Sequence, residues 1–130
     1  MSEILVPVSP GEVVDKITIL RIKAARITDA TKLNNVRREL EILERTWRDS
    51  PYGPRDIAAD EAALQAVNER LWDIEDRIRD KERAGAFDAG FIELARSVYI
   101  ENDERAAIKK RINTALGSTI VEEKSYAAYR

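Results

Sequence analysis

The chain has no cysteine and no histidine among its 130 residues. The first absence removes disulfides and thiolate nucleophiles, and the two together remove the usual zinc ligand sets. Without histidine there is no imidazole acid–base chemistry either. A metal would have to be a hard cation held by carboxylates, and no cofactor is expected. No apolar run approaches the roughly 20 residues needed to cross a bilayer. Ile4 to Val8 is too short for a signal peptide and Pro7 interrupts it, so a cytoplasmic protein without membrane insertion is expected. The net charge of −2 provides no global basic field for nucleic acid. The densest basic run, Lys109-Lys110-Arg111, reads as a solvated helix face.

What is present is apolar (44%) and charged (35%) in the balance of a folded helical protein rich in surface ion pairs. At this length a single domain over residues 1–130 is the default. Ile4-Leu5-Val6-Pro7-Val8 predicts an extended arm or short edge strand. Ser9-Pro10-Gly11-Glu12 is a strong helix start, with Ser9 as cap, Pro10 at the first helical position and Glu12 able to close a capping box. The first helix runs to about Arg26, with Val13, Ile17, Leu20, Ala24 and Ile27 on one seam. Ile19 and Ile22 lie on the opposite side, near Asp15. Such a helix must be covered twice, by the arm, the C-terminal tail or a second subunit.

Asp29 can cap a second helix, whose single seam is Leu33, Val36, Leu40, Leu43 and Trp47. Residues 49–54 form the clearest loop. A third helix covers Ala63 to Glu82, with Leu64, Val67, Leu71, Ile74 and Ile78 on its seam. Gly85 suits its end and Asp88 the start of a fourth helix. From Ala89 the pattern runs to Leu116, with Gly117 as the stop, a rod of about 42 Å. A break near Asn102-Asp103 is the alternative. Ser118 to Val121 could pair with the arm as a small two-stranded patch. The tail beyond, with Tyr126 and Tyr129, is expected to dock on the bundle. The fold class is therefore all-α: a four-helix bundle of two helical hairpins, with an extended N-terminal arm and a C-terminal tail.

The third and fourth helices carry polar residues where a plain bundle has leucine. Asn68, Trp72, Glu75 and Arg79 form a stripe beside the third helix's seam. A face of the fourth helix centred on Val98 holds Phe91, Leu94, Ala95, Ile112 and Leu116, together with Asn102, Arg105, Lys109 and Asn113. Buried charges need partners, and Glu75 and Arg79 on the neighbouring helix are the expected counter-charges. The seam has two readings, a structural one that fixes register and a ligand site made by these eight residues.

Several stretches resemble a bacterial family of unknown function. They are Ser9 to Lys16 with Ile17-Thr18-Ile19-Leu20, Asn68-x-x-Leu71-Trp72-x-x-Glu75-Asp76, Phe91 to Arg96, Tyr99, Asn102-Asp103 and Glu122 to Tyr126. The resemblance covers nearly the whole chain. It implies a small helical protein associated with genes for cell-surface glycosyltransferases, and assigns no catalytic residue.

The leading functional expectation is a helical interaction module that forms homo-oligomers or docks on a protein partner. The alternative is a binding protein or enzyme for a small anion such as a phosphate, a sugar nucleotide or a dicarboxylate. Arg79, Arg105 and Lys109 would hold the anion, and Asn68, Asn102 and Asn113 would orient it. A weaker option is magnesium held by Glu12, Asp15, Glu75 and Asp76.

Overall fold

The computed structural model describes residues 2–130 and contains four helices: α1 (Pro10–Arg26), α2 (Ala30–Asp49), α3 (Ala58–Ala84) and α4 (Ala89–Leu116). Three of the starts are capped as their sequences require. Ser9 Oγ accepts from the Glu12 N–H at 3.2 Å, Asp29 from Lys32 at 2.9 Å and Asp88 from Phe91 at 2.9 Å. α3 starts five residues before the expected Ala63; Ile57 supplies no side-chain cap, and the Asp56 carboxylate accepts from the Ala58 N–H instead. Gly85 and Gly117 end α3 and α4 at φ of 65° and 68°, left-handed conformations that L side chains rarely adopt. α4 is continuous through Asn102 and Asp103, so its face does not rotate midway.

α1 packs against all three other helices, whereas α2 packs against α1 alone. α3 and α4 form a hairpin across the turn at 85–88 and pack along each other. The main core cluster joins Val14 to Leu64, Val67 and Leu71 of α3 and to Ile108, Ile112 and Leu116 of α4. Trp47 and Tyr52 stack with ring centroids 6.1 Å apart and close one side of this core.

α1 is apolar on two sides, and α2 with the α3–α4 pair flanks it; neither a second subunit nor the arm is needed as cover. Its inward seam is shifted by one residue at the start. Val14 is buried and Val13 only half-buried, while Ile17, Leu20 and Ile22 are buried as well. α2 shows the cost of a single neighbour: Val36 is buried, while Leu33, Leu40, Leu43 and Trp47 are half-buried.

The helices differ in reach. α3 and α4, with 27 and 28 residues, span about 40 Å, whereas the 17 residues of α1 span about 26 Å. The hairpin therefore extends past α1, and no residue between Leu71 and Ile108 is fully buried. The expected patch between the arm and Ser118 to Val121 does not form. Among the described residues there is no strand, and no backbone pair joins these segments. Pro7 lacks a donor, and the tail is tied to α1 and α4 by side chains instead.

Candidate functional site

The first turns of α1 lie against α4 closely enough to exclude a side chain. A Cβ on Gly11 would sit 2.7 Å from the Lys109 carbonyl oxygen and 2.8 Å from Asn113 Oδ1. The Gly11 N–H, one of the free donors at a helix start, donates to that Oδ1 at 2.7 Å. This contact brings the next turn of α1 against Arg105 and Lys109.

Lys109 Nζ lies 2.5 Å from Glu12 Oε2, 3.8 Å from Asp15 Oδ2 and 3.4 Å from Glu122 Oε2 of the tail. Arg105 Nε is 3.9 Å from Asp15 Oδ2. The side chains of Lys109 and Asp15 are only 13% and 5% exposed. On the other side of Asp15, Asn68 Nδ2 donates to Asp15 Oδ1 and to Thr18 Oγ1, each at 2.9 Å. Thr18 Oγ1 in turn donates to the Asp15 main-chain carbonyl at 2.8 Å. Ser9 Oγ donates to Glu122 Oε1 at 2.9 Å and fastens the tail to the head of α1. Glu12 gives its main-chain N–H to the Ser9 cap, while its carboxylate crosses to α4 instead of closing a capping box.

Burial opposes charge on both partners of the closest pair, and the pairing prevails. Burial would raise the Glu12 carboxyl, but the Lys109 ammonium, helped by Lys16, holds it below its ordinary value. Burial would lower the Lys109 ammonium, but Glu12, Asp15 and Glu122 hold it above its ordinary value. Three carboxylates surround an ammonium here, in the way acidic groups surround a cation. Among the described residues no group of three or more acidic side chains is arranged to hold a metal ion.

Four of the eight sequence-predicted residues, Asn68, Arg105, Lys109 and Asn113, converge on this cluster. Asn102 lies two turns further along α4, where its main-chain carbonyl accepts from Lys124 at 3.5 Å. Trp72 lies apart, with the Arg26 guanidinium 5.8 Å above its ring. Glu75 and Arg79 pair with each other one turn apart on α3 and are partly exposed. They are not the counter-charges of α4. Those come from Glu12 and Asp15, because α1, not the distal part of α3, packs over Arg105 and Lys109. Sequence reasoning did not anticipate the roles of Gly11, Thr18 and Glu122. It also missed Ile108, whose fourfold spacing to Ile112 and Leu116 was the available signal.

Beside the cluster, α4 and the tail enclose an open groove of about 910 Å³. Asn102, Arg105, Lys109 and Asn113 line it, with Val98, Ala106 and Ala107 between them and Ile120 and Val121 opposite. The tail is held at its far end by Asp103, which accepts from the Tyr129 hydroxyl at 2.7 Å and pairs with Lys124 at 3.1 Å. The Tyr129 hydroxyl and Lys124 hold the Asp103 carboxyl below its ordinary range, and the same contact raises the Tyr129 phenol. The Tyr129 ring meets Tyr99 edge-on at 4.9 Å.

Among the described residues no buried side-chain polar atom lacks a hydrogen-bond partner. The cluster thus joins α1, α3, α4 and the tail with its charges mutually matched. Among the described residues no helix is long and apolar enough to cross a membrane.

Neither the curated proteins nor the solved structures contain a match to this chain. A family model does match, over residues 4–129, and the chain belongs to that family, one of unknown function (DUF6165).

Proposed function

We propose that the protein is a helical interaction module that associates with copies of itself. The observation that carries this reading is where the large apolar side chains lie. Among the described residues twelve are exposed against eleven that form the buried core, and all the exposed ones but Ile42 belong to three regions. These are the arm, the α3–α4 turn with the outer face of α4, and the tail. Single exposed apolar residues are ordinary, but consecutive ones such as Ile4, Leu5 and Val6 mark a surface that a partner covers. Sedimentation equilibrium tests the reading. We expect dimers or larger species at about 10–100 µM, the range of modest protein–protein affinities. A monomer persisting at about 1 mM would sink it. The family resemblance makes a cell-surface sugar-transfer enzyme the first further partner to try.

A second reading, a site for a small anion, is supported by Arg105, Lys110 and Lys124 lining the groove together with Asn102 and Asn113. Lys109 already faces three carboxylates, Arg105 lies 3.9 Å from Asp15 and Lys124 pairs with Asp103, so the attraction would rest most on Lys110. Thermal unfolding with inorganic phosphate, a nucleoside diphosphate or a dicarboxylate is the test. Stabilisation that disappears in Arg105→Ala is expected; no shift with any of the three rules this reading out.

A further inference from the structure

The arm is the most exposed apolar segment of the molecule: Ile4 is 88% exposed, Leu5 90% and Val6 66%. It does not lie in the groove of its own chain. Among the described residues, no backbone–backbone hydrogen bond outside the helices involves a residue before Ser9 or after Ser118. The molecule therefore offers two things at once. One is an exposed apolar segment without secondary structure, and the other is a groove with apolar side chains on both walls, one wall being a tail that makes no backbone–backbone hydrogen bond beyond Ser118.

Their lengths agree. Residues 2–8 in extended form span about 23 Å. The groove follows α4 from Val98 to Thr114, which at the helical rise is about 24 Å. The arm also starts beside the groove, because Ser9 bonds to Glu122 on the groove's wall.

We infer that the occupant of this groove is the N-terminal arm of a second copy of the chain, so that two molecules exchange arms about a twofold axis. This deepens the self-association reading and rests on it. A segment and a complementary groove on one chain make a self-matching surface, and closed twofold pairing uses both copies of each. Ser118 Oγ already holds the Ile120 N–H and carbonyl, so it is the tail's N–H and carbonyl groups from Val121 onward that can pair with the arm's backbone as one strand adds to another. Alternate arm side chains, Leu5 and Pro7 on one side and Ile4, Val6 and Val8 on the other, then face the groove floor or the solvent.

The test uses the full chain with Leu5→Asp in the arm and Val121→Asp in the groove wall. Both positions are exposed in the monomer, so the fold should survive, and circular dichroism checks that it does. Each variant alone is expected to weaken dimerisation at least about 100-fold, since each spoils both arm–groove contacts. Mixed together they should recover dimers, because the normal arm of one still meets the normal groove of the other. A further readout uses the natural lack of cysteine: Leu5→Cys in one tagged chain and Ala107→Cys in an untagged chain should form a mixed disulfide when oxidised by added diamide, which takes up the two electrons and two protons.

Loss of dimer in both variants, recovery on mixing and the mixed disulfide support arm exchange. Dimers that survive both substitutions, or variants that do not recover on mixing, overturn it while leaving self-association through another surface. A wild-type monomer overturns both the inference and the reading beneath it.

Discussion

Asp15 illustrates how much one buried carboxylate can hold. It accepts from Asn68 of α3 and faces Lys109 and Arg105 of α4. Asp15→Ala leaves a buried amide donor and a mostly buried ammonium short of partners. We expect a loss of about 3 kcal/mol in urea unfolding. Glu75→Ala is the contrast, because an exposed pair one turn apart on a helix is worth little; we expect a change within about 0.5 kcal/mol. Similar losses for the two variants would mean that water reaches the cluster as freely as it reaches Glu75.

The Glu12–Lys109 pair sets a pH window. The Glu12 carboxyl titrates below its ordinary value of 4.5 in the folded chain, so its contribution is complete above that pH and is lost as pH falls through the lowered value. Lys109 runs the other way: its contribution is complete below 10.5 and is lost as pH rises through the raised value. The pair is therefore whole across neutral pH. Glu12→Gln should flatten the acid limb of Tm against pH below about 4.5. An unchanged limb would assign the acid sensitivity to other carboxylates.

Among the elements, the α1–α4 contact is the one that a single methyl group can test. Gly11→Ala would drive a carbon into the Lys109 carbonyl, and helix backbone cannot yield as a flexible side chain can. We expect a loss of about 1–3 kcal/mol, the usual range for overpacking, with helix content by circular dichroism unchanged. A neutral result would show that α1 can slide on α4.

The elements were also the most legible part of the sequence. Ser9, Asp29 and Asp88 mark helix starts, and Gly85 and Gly117 mark ends, because caps act through neighbours only a few residues away. The start of α3 was less visible, since Ala58 to Glu61 carries no apolar residue larger than alanine to reveal a seam. The charge partners on α4 were misread for a related reason. Glu75 and Arg79 belong to the helix adjacent in sequence, but the partner of Lys109 lies 97 residues away and is set by how α1 crosses the hairpin. The polar character of α4's inner face was visible in the sequence; the identity of its counter-charges was not.

For the whole molecule, the cluster and the apolar core divide the work. Leucine, isoleucine and valine draw α1, α3 and α4 together without direction, and the charges around Asp15 and Lys109 find their partners in the register observed. Glu122 and Ser9 carry that register into the tail, which positions the groove wall on which arm exchange depends.

α2 stands outside this arrangement. Among the helices it runs beside α1 only, reaches the main core only through the half-buried Trp47 at its end, owns one buried side chain, Val36, and shares no charge of the cluster. The protein should consequently open in two stages. α2 can peel away while the other three rods stay locked, so its amide protons exchange through a shallow local opening and those of the locked rods only through complete unfolding.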